Sequence, residues 1–249
     1  MTPCVPILMF HSISVAPRRA RTPSLHVSPR RFRSYLGHIS RLGFRGVSMG
    51  EAMRRLADAG TKRPEKVVCV TFDDGFADNA EQALPILREY GFTATCYVTS
   101  GLLGSFNAWD SELLRVRTRM MSRAQVREWH DAGMEVGAHT QTHCDLTSCA
   151  DANERQEEIE GSKAELEDVI GSEVSHFSYP FGRHDARAVA AVRAAGFASA
   201  VTTREGRARG TDDPFTLPRL YVGGNYLTPV VLARVFTRAG DWGRALAFD

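Results

Sequence analysis

Short apolar runs alternate along the chain with longer stretches in which apolar residues recur every three or four positions. Residues 5–10 (VPILMF), 44–48 (FRGVS), 66–72 (KVVCVTF), 92–98 (FTATCYV), 134–138 (MEVGA), 174–180 (VSHFSYP) and 197–202 (FASAVT) read as strands. Most lack apolar–polar alternation, as expected of strands covered on both faces in a parallel sheet. Between them, residues 28–43, 77–91, 122–133 and 185–196 read as helices, each ending at a glycine suited to closing the last turn. Residues 151–170 predict a longer helix with Ile159, Leu166, Val169 and Ile170 along one stripe.

Strand-like runs interleaved with helices predict an α/β protein, either a (β/α) barrel or a doubly wound sheet. No linker interrupts the alternation, so residues 1–249 are expected to form a single domain. No glycine-rich loop follows a strand, which argues against a nucleotide site. The longest stretches without a pattern, 101–122 and 204–227, are expected to be irregular and to shape a site.

Composition narrows the class. With 249 residues, 43% hydrophobic and 24% charged, the chain matches a soluble globular protein with a sizeable core. A net charge of +2 is too small to indicate nucleic acid as a partner. It conceals an asymmetry: residues 1–50 hold eight arginines and no acid, leaving 23 basic against 29 acidic groups in the remainder. The strand and helix read within that segment argue against a transit peptide. The expectation is a folded basic face suited to phosphate, an anionic polymer or a membrane surface.

Cys4, Cys69, Cys96, Cys144 and Cys149 include no C-x-x-C pair and suggest no disulfide framework. Cys69 and Cys96 lie in apolar runs and read as core thiols. With no signal peptide and no transmembrane run, the expected location is cytoplasmic, with reduced thiols.

Polar clusters fall where strands end, the place where such folds gather their active sites. His11 closes the first run, Asp73 and Asp74 follow the third in TFDDG, His139 and His143 follow the fifth in HTQTH, and Pro180-Phe181-Gly182 follows the sixth. Read singly, these are a capped strand end, a turn, a polar loop and a tight bend. If residues 139–143 are helical, the spacing of four stacks both imidazoles on one face, within reach of one metal ion. One carboxylate with His139 and His143 makes a three-ligand site, and the second carboxylate is free to take a proton from a bound water. That is the minimum for metal-assisted hydrolysis. Two histidines and a carboxylate also suit non-haem iron, although those oxygenases usually sit on antiparallel barrels, which the strand–helix alternation contradicts.

TFDDG, HTQTH and SYPFG, in that order, resemble the first three motifs of the NodB-homology polysaccharide deacetylases. The likeness runs from PILMFHSI to TLPRLYV, over most of the chain. It implies a distorted (β/α) barrel of about seven strands and a divalent metal ion, commonly zinc. The implied reaction removes an N-acetyl group from an acetylated amino sugar, in a polysaccharide, an oligosaccharide or a lipid-linked precursor, and releases acetate. By position, Asp73 would be the base, Asp74, His139 and His143 the metal ligands, and the backbone N–H of Phe181 an oxyanion donor. The FHS strand resembles the branch associated with exopolysaccharide and surface-sugar biosynthesis.

The chain also departs from that pattern. Ser178-Tyr179 stands where many members carry the arginine that holds the catalytic aspartate, and no histidine follows His184 to supply the usual late general acid. Trp242 lacks the surroundings of the late tryptophan motif. Two substitutes are therefore expected: Arg219 in LPRLYV for the arginine, against the alternative of a surface arginine, and His11 for the acid, with His184 as second candidate. Two other functions remain open: hydrolysis of another linear amide or small acetylated glycoside on the same metal site, and an inactive carbohydrate-binding domain.

Overall fold

The computed structural model describes residues 4–18, 20–57, 66–111, 117–149 and 151–237, and within them every apolar run of the sequence forms a strand. In chain order come β1 (Cys4–Val5), β2 (Ile7–Phe10), α1 (Pro29–Arg41), β3 (Arg45–Val47), α2 (Met49–Ala57) and β4 (Val67–Phe72). A π turn at Asn79–Ala83 leads into α3 (Leu84–Glu89), followed by β5 (Thr95–Val98), α4 (Ala108–Ser111), α5 (Arg123–Asp131) and β6 (Glu135–Ala138). The expected long helix is α6 (Ala152–Gln156), a π turn at Glu157–Gly161 and α7 (Ser162–Ile170). β7 (His176–Ser178), α8 (Ala186–Ala194), β8 (Ser199–Glu205), β9 (Ala208–Arg209), β10 (Leu217–Tyr221) and α9 (Thr228–Phe236) complete the series.

Helix starts follow local chemistry. Ser28 caps α1 by accepting from the Arg31 N–H, with Pro29 in the first turn where no donor is needed. Ser122 and Gln125 form a reciprocal capping box on α5, and the Asp185 carboxylate accepts from Ala188 at the start of α8.

Strands β2, β10, β8, β7, β6, β5 and β4 hydrogen-bond in that order, all in parallel, and β2 also pairs with β4, which closes the ring. The result is the distorted seven-stranded (β/α) barrel, but one member of the set differs from the sequence reading. The FRGVS run, β3, lies outside the ring and pairs along the lower half of β4. Its place is taken by β10, inside the 204–227 stretch expected to be irregular. Pro218 and Arg219 hide this strand, because a proline and a charge break its apolar run. The pairing of β10 with β8 shifts register between Leu217 and Arg219, so Pro218 sits where the ladder is interrupted.

Successive side chains of a strand point to opposite faces, and here both faces are buried. Leu8 and Phe10 of β2, Val68, Val70 and Phe72 of β4, Val136 and Ala138 of β6, and Leu220 of β10 pack outward against the helices. Trp129 of α5 meets Phe72 edge-on in this layer at 5.7 Å. The alternate positions face the barrel interior, where Ile7, Cys69, Tyr97, Val201 and Leu217 pack with Met49, Ala52 and Leu56 of α2. α2 closes that end, its Met49 N–H donating to Thr95 Oγ1 and its Gly50 N–H to the Glu135 carboxylate. At the opposite, carboxyl-terminal end the same alternation turns His11, Asp73, His139, Ser178 and Arg219 inward.

Candidate metal centre and catalytic pair

Asp73 continues the inward phase of β4. On a regular strand Asp74 would point the other way. Its φ of 75°, followed by Gly75 at 81°, turns the chain through the left-handed region and brings both carboxylates to the interior. Aspartate tolerates this conformation better than most residues, at a cost of about 1 kcal/mol. Gly75 is required, since an added Cβ would stand 3.1 Å from the Val98 backbone.

His139 continues the inward phase of β6, but the expected helix through His143 does not form. Thr140 and His143 adopt φ of 60° and 64°, so residues 139–143 are an irregular loop that doubles back. The Thr140 hydroxyl accepts from the His143 N–H at 2.9 Å. Glu158, in the π turn between α6 and α7, accepts from the N–H groups of Gln141 and Thr142 at 2.9 and 3.0 Å and from the Thr142 hydroxyl at 2.6 Å. The two imidazoles therefore converge through two left-handed residues and a carboxylate anchor, not through helical periodicity.

Nε2 of His139 lies 3.5 Å and Nε2 of His143 3.4 Å from Asp74 Oδ1. One ligand atom from each of the three residues falls within 4.8 Å of the others, and all three side chains are buried. Two ligands at about 2.0–2.1 Å from a tetrahedral ion stand about 3.3–3.4 Å apart, so the spacing fits a bound metal. The His139 ring is oriented by its Nδ1, 2.7 Å from the Ser178 carbonyl oxygen, which accepts the Nδ1–H and directs Nε2 toward Asp74. Burial lowers the His143 pKa and favours the neutral ring. Burial alone would raise that of Asp74, but the hydrogen bonds with the two histidines outweigh it and hold the carboxyl well below its usual range. Two imidazole nitrogens and a carboxylate oxygen converge here, a donor set that suits a divalent cation.

Trp109 of α4 stacks on the His143 ring at 4.0 Å and 17°, and Phe181 meets its edge at 4.6 Å. Segment 101–122 thus contributes a wall of the site. Trp109 and Glu158 were invisible to sequence reasoning, since nothing local marks an indole or a carboxylate as the neighbour of a distant loop.

Arg219 is fully buried, which excludes the surface alternative. Its Nη1 and Nη2 donate to Asp73 Oδ1 and Oδ2 at 2.7 and 2.6 Å. Nε donates to the Thr202 carbonyl at 2.9 Å, Nη1 also to Thr71 Oγ1 at 3.2 Å and Nη2 also to Ser178 Oγ at 3.1 Å, so every guanidinium N–H has a partner. Burial alone would raise the pKa of Asp73. The charge and hydrogen bonds of Arg219 outweigh it, and Asp73 is held ionised.

His11 ends β2 between β10 and β4, its ring 6.2 Å from that of Tyr221 at the end of β10. Its Nδ1 is buried without a partner among the described residues. His184 is exposed, with its Nδ1 at 2.9 Å from the Gly182 carbonyl and its ring stacked on Tyr179, whose side chain belongs to the helix-side layer. Phe181 has a φ of 58°, and its backbone N–H finds no acceptor among the described residues. Trp242 lies outside the described residues.

The polysaccharide deacetylase family model matches residues 60–200. The chain is 28% identical over 219 residues to YxkH of Bacillus subtilis, whose name places it among the polysaccharide deacetylases, covering 88% of this chain and 71% of that one. The structure of Streptococcus pyogenes deacetylase PplD in complex with acetate superposes with a TM-score of 0.81 at 28% identity, over 94% of this chain and 99% of that one. IcaB from Ammonifex degensii superposes with a TM-score of 0.75 at 25% identity, over 88% and 91% of the two chains.

Proposed function

The chain belongs to the polysaccharide deacetylase family, and from that membership we propose a divalent-metal-dependent hydrolase that removes N-acetyl groups from an acetylated amino sugar and releases acetate. The observation that carries this reading is the meeting of Asp74, His139 and His143 within 4.8 Å, beside an ionised Asp73 gripped by Arg219. The acetate in the PplD structure is the product such a reaction would release. Among the described residues no helix is long and apolar enough to cross a membrane.

Asp74, His139 and His143 would hold the ion, and two imidazoles with one carboxylate suit zinc while leaving positions open. When bound, the ion polarises the amide carbonyl and lowers the pKa of a water. Asp73 would take the proton from the attacking water as the water oxygen adds to the carbonyl carbon. Arg219 keeps the carboxylate ionised and fixes its two oxygens in place. The N–H of Phe181 donates to the carbonyl oxygen as it gains negative charge. His11 gives a proton to the nitrogen as the C–N bond breaks, because an unprotonated amine leaves poorly. One C–O bond forms, one C–N bond breaks, and the products are acetate and a free amine.

The deciding experiment is acetate release from a panel of acetylated sugars, polymeric and small, before and after chelation, with zinc or cobalt restored. Activity that disappears on chelation and returns with the ion is expected. Release that survives chelation would exclude metal dependence, and release from no member of the panel would leave the inactive binding domain.

A further inference from the structure

A cavity of about 310 Å³ opens between the loop that follows β2 and His11 and the loop that follows β10. It is at the lower end of the size range of small-ligand sites. Its walls are joined to the site end of the barrel. Ser12, the residue after His11, exchanges backbone hydrogen bonds with the segment around His26, and the Gly224 N–H donates to the Ser24 carbonyl at 2.8 Å. The two loops meet so closely that a Cβ on Gly224 would fall 1.8 Å from the His26 carbonyl oxygen.

The polar lining is Ser14, Ser24, His26, Ser28, Arg31 and Asn225, and no acid is among the lining residues. Burial, with His11 nearby, lowers the pKa of His26 and favours its neutral ring. Arg31 then supplies the fixed charge. Its guanidinium forms no ion pair with any described residue, whereas Arg33, Arg45, Arg119 and Arg123 each pair with a carboxylate. Hydroxyls and an amide match the hydroxyls of a sugar ring, and a guanidinium matches a carboxylate or phosphate.

We infer that this cavity is an accessory subsite for a saccharide unit bearing an anionic group, next to the unit being deacetylated, with Arg31 reading the charge. The placement beside the reacting unit rests on the deacetylase reading above, whereas the binding preference does not. It also gives the acid-free N-terminal segment a specific ligand.

The test is calorimetric titration of the full chain with three probes: N-acetylglucosamine 1-phosphate, a disaccharide of glucuronic acid and N-acetylglucosamine, and uncharged di-N-acetylchitobiose. At least one anionic probe should bind about tenfold or more tightly than the neutral one, the usual scale of a charge-assisted contact. The tighter of the two identifies phosphate or carboxylate as the group read. Arg31→Gln should abolish the preference, and Arg30→Gln, at the adjacent exposed arginine, should keep it, with circular dichroism confirming both folds. Equal binding of all three probes overturns the inference. So does a preference that survives Arg31→Gln or that falls equally in Arg30→Gln. Acetate release from di-N-acetylchitobiose is read in parallel; its absence would count against deacetylation and leaves the titrations to decide the subsite.

Discussion

Arg219 and Asp73 stand 146 positions apart in the chain and meet inside the barrel through paired hydrogen bonds of 2.7 and 2.6 Å. β10 carries one and the end of β4 the other. Thr71, Ser178 and Thr202 fill the remaining guanidinium contacts from their own strands, so Arg219 and three other strand positions hold one carboxylate.

Removing that grip should cost turnover without removing the ion. Arg219→Gln is expected to keep stoichiometric zinc or cobalt while kcat falls about 100-fold, the usual scale for a misplaced reacting group. Lysine should not restore it, because a point charge cannot make the bidentate contact. Metal analysis beside acetate release checks this, and unchanged turnover in Arg219→Gln would remove the arginine from the mechanism.

The same pair fixes a pH dependence. Arg219 holds the folded pKa of Asp73 below its unfolded value of about 3.9. Its stabilising contribution is therefore present above that value and is lost as pH falls through the folded pKa. In Arg219→Gln burial acts without its counterweight, and the acid limb of kcat/KM should move to higher pH. An acid limb that stays in place would show that it reports another group.

His139→Ala or His143→Ala should abolish metal binding while the fold survives, since each removes one of three ligand atoms within 4.8 Å. Asp73→Asn should retain the metal and lose about 10²–10⁴-fold in turnover, the range of a proton-transfer role. Full occupancy in both histidine variants would refute the ligand set.

His11→Ala should keep metal and substrate, lose most turnover and lose the alkaline limb of the pH–rate profile. The exposed His184, stacked on Tyr179, provides the comparison. Persistence of that limb in His11→Ala with its loss in His184→Ala would transfer the acid role to His184.

Glu158→Ala tests the anchor of the His143 loop. It strands the N–H groups of Gln141 and Thr142, and metal affinity should fall about 10–100-fold, the range for residues that orient ligands. Competition against a chromogenic chelator measures it; unaltered affinity would mean the two left-handed residues hold the loop unaided.

Apolar continuity in runs such as KVVCVTF was enough to read buried strands, and the intervening periodicity to read most helices, because both patterns are local. TFDDG and HTQTH were likewise legible as polar clusters at strand ends. The two buried faces of each strand could not be told apart until the ring closed and assigned one to the helices and the other to the interior. β10 escaped notice because its inward position carries Arg219, and a charged side chain beside a proline looks like a loop until a buried carboxylate neutralises it. The spacing of His139 and His143 was meaningful, but its geometry came from positive φ at Thr140 and His143, a conformation stabilised by contacts from Ser100, Gly101 and Glu158 that lie far away in sequence. Strand and helix follow from neighbours along the chain. The partners of Asp73 and His143 were decided only in the folded barrel, where burial makes an unpaired charge or an unanchored loop too costly to persist.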